Sequence, residues 1–284
     1  MSKVGIVTDS TSCLPPEFVK EHGIRIVPVG LVIDGKAYRD TDLTNEEFWR
    51  LFYSAKEPPT TSAVSPADFI DAFTELGKQT DSIVCITVSR ALSATNQAAV
   101  VAREMVQSEK SDLKIEIIDS KSSTGAMGFI VMEAARAAQA GKSLAEVVQV
   151  AQDMIPRVKF FVGLDTLKYL IKIGRAPKVA VIGDMIGMKP IIGMVSCTGL
   201  VESLGKARGK EKCMRQIVEL MKEHIEENQP VHLMVHYTDG IKAGEELKEM
   251  VTSRYNCEEV YLTPYTSVMA SATGPVVAVS FYTK

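Results

Sequence analysis

The chain has 284 residues, of which 46% are hydrophobic and 24% are charged, and these proportions are those of an ordinary globular protein. They exclude a disordered, collagen-like or coiled-coil chain, and a prior of roughly 150 residues per domain predicts two domains. The formal net charge is −3. Since there is no basic excess to hold a phosphate backbone, we expect no nucleic-acid binding.

The cysteines and the apolar runs indicate the cellular compartment. Five cysteines occur, an odd number, and no two have the Cys-x-x-Cys spacing, so we expect reduced thiols. The first residues lack the apolar core of a secretory signal, and no run approaches the roughly 18 apolar residues of a membrane span. We therefore expect a cytoplasmic protein without stable membrane insertion.

In the first half of the chain, predicted strands alternate with predicted helices. Apolar, β-branched runs predict strands at residues 3–8, 82–89 and 114–120. Capping residues and apolar periodicity predict helices at residues 15–22, 44–52, 65–76, 93–105, 125–141 and 143–155. This alternation predicts an α/β fold with a largely parallel sheet.

Two segments interrupt that alternation. Asp34-Gly35 is a favoured two-residue turn, so residues 27–42 are predicted to form a small extended hairpin insertion. Residues 57–64 are mostly polar, and we predict a loop there.

The second half combines hairpins with long helices. Strands are predicted at residues 160–164, 189–195, 200–207, 231–237, 259–262 and 276–282. Helices are predicted at residues 165–173, 210–227 and 242–255. This pattern favours an α+β arrangement, and we place the domain boundary near residue 157, which gives an N-terminal α/β domain (1–157) and a C-terminal α+β domain (158–284).

Small hydroxyl residues cluster where predicted strands end and helices begin. The clusters are at residues 8–12, 60–65, 89–95 and 120–124. Ligands of open α/β sheets bind outside the carboxyl ends of the strands, where helix N-termini offer free N–H groups to anions. Ordinary helix capping also uses Ser and Thr, but four clusters at one edge favour an anion site.

The sequence gives weaker support for a catalytic site, a nucleotide site or a metal site. Asp9 follows the first strand and could be a nucleophile or a magnesium ligand, although Asp is common at turns. Neither Gly-x-Gly-x-x-Gly nor Gly-x-x-x-x-Gly-Lys-Ser/Thr occurs. His232 and His236 have metal spacing only on a helix; on a predicted strand they lie about 13 Å apart. We therefore predict no metal site.

Residues 179–195 are apolar and rich in methionine. Methionine fills irregular pockets, so the segment suits an adaptable apolar cavity, although the residues alone favour an ordinary core. Arg175 follows the predicted helix that ends before Gly174, a position where a cation interacts favourably with the helix dipole.

Seven motifs occur in order along the chain and together carry a resemblance. They are residues 7–15, 60–69, 92–98, 118–125, 174–175, 189–191 and 274–275. This set resembles the DegV family of bacterial fatty-acid-binding proteins, which includes the substrate-binding subunits of fatty acid kinase. The resemblance covers essentially the whole chain.

The resemblance implies two domains with a long-chain fatty acid in a tunnel at their interface. It implies that Thr61, Ser62 and Ser93 bind the carboxylate and that Arg175 lies near this head group. It implies no catalytic residue and no cofactor other than the bound fatty acid. In some members the partner is a fatty acid kinase catalytic subunit, which converts the bound acid to an acyl phosphate.

Several positions depart from the family pattern. Ala63 stands where Gln is common, Ala94 and Asn96 replace a Gly and an aromatic residue, and Ile173 replaces a Gly. Ala272 stands where the family often has a histidine. The hydroxyls are retained, which supports binding, whereas the missing histidine argues against efficient phosphorylation.

Two hypotheses remain for the function. The first is a carrier of long-chain fatty acids without catalysis of its own. The alternative is an enzyme that handles a small acid or a phosphate through Asp9 or a loop serine.

Overall fold

The computed structural model describes residues 4–62, 64–177 and 187–283 of the chain. The strands within these ranges are β1 (Gly5–Asp9), β2 (Arg25–Val27), β3 (Gly30–Ile33), β4 (Lys36–Arg39), β5 (Thr60–Ser62), β6 (Ser82–Thr87), β7 (Lys114–Asp119), β8 (Lys159–Leu164), β9 (Met188–Val195), β10 (Leu200–Arg208), β11 (Val231–Tyr237), β12 (Cys257–Pro264) and β13 (Val276–Thr283). The α-helices are α1 (Pro16–His22), α2 (Asn45–Ser54), α3 (Pro66–Leu76), α4 (Thr95–Glu109), α5 (Thr124–Gln139), α6 (Leu144–Met154), α7 (Lys168–Lys172), α8 (Lys210–Met221), α9 (Ile241–Thr252) and α10 (Ser267–Thr273).

The first sheet has the strand order β2-β1-β6-β7. All three of its strand pairs are parallel, which confirms the predicted parallel α/β fold. Since parallel strands end at the same edge, the hydroxyl-rich segments that follow β1, β6 and β7 lie side by side.

The second sheet has the order β10-β9-β8-β13-β11-β12. β9 and β10 form the predicted hairpin, and β13 lies between β8 and β11, antiparallel to both. β11 and β12 are parallel, so the sheet is mixed, and its hairpin and flanking helices agree with the α+β arrangement predicted for the second half of the chain.

Helix α5 lies between the two large sheets, with α6 beside it in the central core, and four other helices cover the outer faces of the sheets. α3 and α4 pack on the outer face of the first sheet, and α8 and α9 pack on the outer face of the second. Side chains of β8 alternate between the two faces: Phe160, Val162 and Leu164 join the central core, whereas Phe161 joins the outer one. The second sheet thus presents an apolar inner face to the rest of the molecule.

The third sheet is small and has the order β4-β3-β5. Its β3–β4 hairpin turns at Asp34 and Gly35, both with positive φ, as predicted. The prediction of a loop over residues 57–64 was wrong at β5, which pairs antiparallel with β3. The open edge of the hairpin provides backbone partners that the local sequence could not reveal.

Helix α10 was not predicted. Its first turn donates a hydrogen bond to a distant side chain, because the Val268 N–H donates to Asp40 Oδ1 at 2.8 Å, across 228 positions of sequence. A helix of seven residues whose partner lies so far away has no local signature.

Several helices differ in their bounds from the prediction. The helix expected at residues 165–173 is the five-residue α7, and the one expected at residues 210–227 ends at Met221, followed by a short 3₁₀ turn. The helix expected from Ser93 begins at Thr95. The domain boundary near residue 157 stays a prediction; it falls between α6 and β8.

Candidate functional site

A cavity of about 430 Å³ lies between the carboxyl edge of the first sheet and the inner face of the second, a volume typical of small-molecule sites. The segments that follow strands of the first sheet contribute Thr11, Val88, Leu92, Ser93, Ala94, Thr95 and Ser123. The small sheet contributes Val29, Thr60, Thr61 and Ser62. The second sheet contributes Phe160, Val162, Ile192, Gly193, Met194 and Val201. The remaining lining comes from Leu170, Ile173, Arg175, Tyr265, Val268, Met269, Ala272 and Thr273.

The four residues predicted to hold the head group all line this cavity. Thr61, Ser62 and Arg175 are exposed, and Ser93 is half-buried. The two sheets and the loop after α7 therefore bring together side chains that are far apart in the sequence.

Ser93 lies at the start of α4, beside free backbone donors. Its hydroxyl accepts from the Thr95 N–H at 3.3 Å and lies 2.9 Å from Thr95 Oγ1. The helix has 15 residues, and no side chain caps it from the position before Thr95. Its N-terminus therefore offers unpaired N–H groups and the positive end of the helix dipole to an anion.

Asn96 fixes the position of this helix start. Its Nδ2 donates to Thr87 Oγ1 at 2.9 Å, at the end of β6. The contact holds Ser93 and the first turn of α4 against the sheet.

The register of β5 distinguishes Thr61 from Ser62. Thr61 is paired with Leu31, and Ser62 is paired with Gly30. Since paired residues share a face of the sheet, the Thr61 side chain lies on the face of Leu31, which is fully buried. Ser62 Oγ lies against Gly30 on the opposite face. The two hydroxyls therefore do not point to the same side.

Arg175 lies at the mouth of the cavity, and backbone carbonyls hold its guanidinium. Nε donates to the carbonyl of Leu92 at 2.8 Å, and a terminal nitrogen donates to that of Ile173 at 2.5 Å. The side chain thus links the loop before Ser93 to the end of α7.

Five more buried polar residues line the inner part of the cavity: Thr11, Thr95, Ser123, Tyr265 and Thr273. Thr11 and Ser123 belong to the predicted hydroxyl clusters. Tyr265 and Thr273 carried no signal in the sequence, because the helix that connects them was not predicted.

The opposite wall is apolar. Phe160 and Val162 of β8, with Ile192 of β9, are buried side chains of the inner face. Met194 lines the cavity, as expected for the methionine-rich segment; residues 179–186 of that segment lie outside the described residues.

Asp9, the candidate of the enzyme hypothesis, is fully buried and does not line the cavity. Its Oδ1 accepts from the Thr11 N–H at 3.0 Å and its Oδ2 from the Val88 N–H at 2.8 Å. Burial raises the pKa of its carboxyl, against the lowering effect of these hydrogen bonds. Asp9 joins the ends of β1 and β6, and both its oxygens are engaged in doing so.

The described part of the chain was also compared with the requirements of a metal site and of a membrane-spanning helix. No group of three or more His, Cys, Asp or Glu side chains there could hold a metal ion. His232 and His236 lie on strand β11, as predicted. None of the described helices has the length and apolar character needed to span a bilayer.

Comparison with known proteins gives a single family. A family model described as uncharacterised protein, DegV family, matches residues 3–284. A DegV domain-containing protein of Caldanaerobacter subterraneus subsp. tengcongensis is 38% identical over 224 residues, which is 78% of either chain. One from Clostridium perfringens is 32% identical over 225 residues, 79% of either chain.

Solved structures share the fold over nearly the whole chain. A DegV family protein from Thermus thermophilus, described for its fatty acid binding, has a TM-score of 0.87 at 26% identity and covers 99% of this chain and 100% of its own. A stearic acid-binding protein from Eubacterium ventriosum has a TM-score of 0.87 at 26% identity, with 99% and 98% covered. A fatty acid binding protein from Bacillus subtilis has a TM-score of 0.88 at 25% identity, with 100% of both chains covered.

Proposed function

The chain belongs to the DegV family, and we propose that it binds one long-chain fatty acid in the cavity between its two large sheets. The observation that carries this proposal is the division of the cavity lining into a hydroxyl-rich side and an apolar side. A fatty acid has the same division, with a polar head and a long apolar chain. The relatives described as fatty acid binding support the same ligand class.

The head group would be held mainly by neutral donors. Ser93 and Thr61 supply hydroxyls, and the start of α4 supplies N–H groups, which suit a carboxylate near a helix N-terminus. Arg175 supplies positive charge at the mouth. A hydrogen bond to a charged group contributes about 1.5–3 kcal/mol, so two or three of these donors suffice to fix the orientation of the acid.

The acyl chain would lie along the inner face of the second sheet. Burial of apolar surface stabilises by roughly 25 cal/mol per Å², and this contribution grows with each methylene that enters the cavity. The apolar wall therefore provides affinity, whereas the hydroxyls provide orientation.

We infer that the protein is a carrier and not a catalyst, with the fatty acid as its only bound group. Asp9 supports this assignment, because both its oxygens are used to join two strands. A fatty acid kinase catalytic subunit is the partner that the family resemblance suggests. Ala272 lines the cavity. The family resemblance leads us to expect a histidine at this position, so we expect this chain to be a poor substrate for phosphorylation.

The proposal is tested by extracting the purified protein with organic solvent and analysing the extract by mass spectrometry. We expect one long-chain fatty acid per chain and a melting temperature that falls after delipidation, because a ligand that binds only the folded state stabilises it by mass action. Re-addition of stearate should restore the melting temperature, whereas stearyl alcohol, which lacks the carboxylate, should restore less. An extract without fatty acid, together with no shift on adding stearate, would exclude the carrier function.

A further inference from the structure

The start of helix α5 carries backbone strain in the interior of the molecule. Thr124, the first residue of the helix, has φ +56° and is fully buried. A β-branched side chain is rarely found in this left-handed region, and such strain persists only where the surroundings impose it. Ser123, which precedes it, gives the helix no side-chain cap.

Buried polar atoms without hydrogen-bond partners lie beside the same turn. Among the described residues, His236 Nε2 and Ser280 Oγ are buried and unpartnered. A Cβ built on Gly125 would lie 2.9 Å from Ser280 Oγ and still closer to His236 Nε2, so both atoms face the helix backbone. Each would gain hydrogen bonds if water reached it, which makes the closed packing costly here.

The other end of α5 is joined to the second sheet by a network of charged hydrogen bonds, in which only His232 Nε2 is buried without a hydrogen-bond partner among the described residues. Arg136 donates to Glu133 and to Glu259 of β12, and the Tyr282 hydroxyl donates to Glu133 at 2.8 Å. His232 Nδ1 lies 2.9 Å from the second oxygen of Glu259. Burial opposes the charge of Glu259, but these hydrogen bonds lower its pKa to about 2.

The two ends of α5 therefore differ in how they hold the second sheet. We propose that the interface between α5 and the second sheet opens at the Thr124 end and pivots at the Arg136 end, and that this opening gives a ligand access to the inner part of the cavity. Opening would relieve the backbone strain and hydrate the unpartnered atoms. It would leave the contacts of Arg136 intact.

A ligand in the cavity would affect the opening of the interface between α5 and the second sheet. Ser123 and Tyr265 line the cavity and lie at the end of α5 that opens. A ligand that packs against them in the closed form shifts the equilibrium toward closure, since it binds that form better. This coupling, but not the opening itself, rests on the proposed fatty acid binding.

Amide hydrogen exchange measured by mass spectrometry tests the proposal on the intact chain. In the lipid-free protein, the amide of Met127, which donates to the Ser123 carbonyl at 3.2 Å, should exchange at least tenfold faster than amides near Gln139. The tenfold ratio of exchange rates is what we expect from the free-energy cost of burying polar groups without hydrogen bonds. Added stearate should slow the exchange of Met127 and leave that of Gln139 unchanged. Equal protection at both ends of the lipid-free helix would overturn the proposal.

Two substitutions sharpen the test without touching the residues assigned to head-group binding. Ser280→Ala removes an unpartnered hydroxyl, and Thr124→Gly removes the penalty of the positive φ; each should slow the exchange at Met127 by several-fold. The matched control is Ser271→Ala, which removes a buried hydroxyl that donates to the Ser267 carbonyl and should not slow it.

The outcomes separate the two proposals. Slower exchange in Ser280→Ala and Thr124→Gly without any effect of stearate supports the opening and contradicts the fatty acid ligand. An effect of stearate with unchanged exchange in both variants supports the ligand and overturns the opening.

Discussion

The two large sheets contribute to the same cavity in different ways. The first sheet uses its edge: side chains such as Ser93 and Ser123 come from the segments that follow its strands. The second sheet uses its face: Phe160, Val162 and Ile192 belong to the strands themselves. An edge of parallel strands collects helix N-termini and loops, which suit polar recognition, whereas the face of a sheet is regular and apolar.

This difference has a consequence for substitutions. A change in an edge segment alters one hydrogen bond and leaves the sheet intact. A change on the inner face alters the cavity and the core together, because the same side chains serve both. We therefore expect substitutions on the inner face of the second sheet to lower stability, and substitutions in the edge segments of the first sheet to affect binding alone.

The largest effect is expected from a charge on the inner face. Val162 is 1% exposed, and Val162→Asp would place a carboxylate without a partner both in the core and against the acyl chain. We expect a loss of about 3–5 kcal/mol in the free energy of unfolding and a fatty acid affinity reduced by roughly a hundredfold. Urea unfolding and fluorescence titration measure the two. Val162→Thr, of similar shape, is the control and should retain most of both.

The next effect concerns Asp40, which connects the small sheet to α10. Both elements line the cavity between the edge of the first sheet and the inner face of the second. Burial raises the pKa of its carboxyl from 3.8 to about 6. The protonated Asp40 carboxyl makes its full contribution to the free energy of unfolding below about pH 4. This contribution is lost as the pH rises through about 6, a difference of about 3 kcal/mol. Asp40→Asn keeps an acceptor for the Val268 N–H without the charge.

We therefore expect Asp40→Asn to be more stable than the wild type at pH 7.5 by up to about 3 kcal/mol, with the difference vanishing near pH 4. Urea unfolding at both pH values measures it. Asp42→Asn, on the exposed side of the same turn, should show no such pH-dependent gain. A constant difference between Asp40→Asn and wild type at both pH values would contradict the assignment.

At the edge, a smaller effect should separate two neighbouring hydroxyls. Thr61→Val and Ser93→Ala each remove one donor to the carboxylate and should weaken fatty acid binding about tenfold. Ser62→Ala should change the affinity less than threefold, because Ser62 Oγ lies against Gly30 on the other face of β5. Titration with a fluorescent fatty acid compares the three. A loss in Ser62→Ala equal to that in Thr61→Val would show that the register does not decide recognition.

The smallest effect on affinity is expected at Ala272. Ala272→His should change fatty acid binding little, since the hydroxyls remain. It should raise acyl-phosphate formation by a fatty acid kinase catalytic subunit, because transfer depends on positioning and charge stabilisation. Rapid acyl-phosphate formation with the wild type, unaltered in Ala272→His, would show that this position does not limit the reaction.

The edge of the first sheet could be predicted from the sequence, and the reason is local. Strand, hydroxyl cluster and helix start follow one another within a few residues at β6 and at β7, so Ser93 and Ser123 are visible as a pattern. The parallel order of the strands then brings these segments together.

The remaining parts of the site depend on distant contacts. Strand β5 forms on the open edge of a hairpin that begins 30 residues earlier in the chain, and α10 is capped by Asp40. The opposite orientation of Thr61 and Ser62 follows from the pairing with Leu31 and Gly30. Tyr265 enters the cavity only because α10 turns the chain there. No local pattern encodes these features.

The position of β13 has a consequence for how the chain acquires its structure during translation. β13 is synthesised after all its neighbours, yet it lies between β8 and β11 and pairs with both. Until it is inserted, the unit of β8, β9 and β10 and the unit of β11 and β12 each expose an unpaired strand edge, and such edges favour aggregation. Folding of the second sheet therefore depends on late, long-range pairing, which is slow.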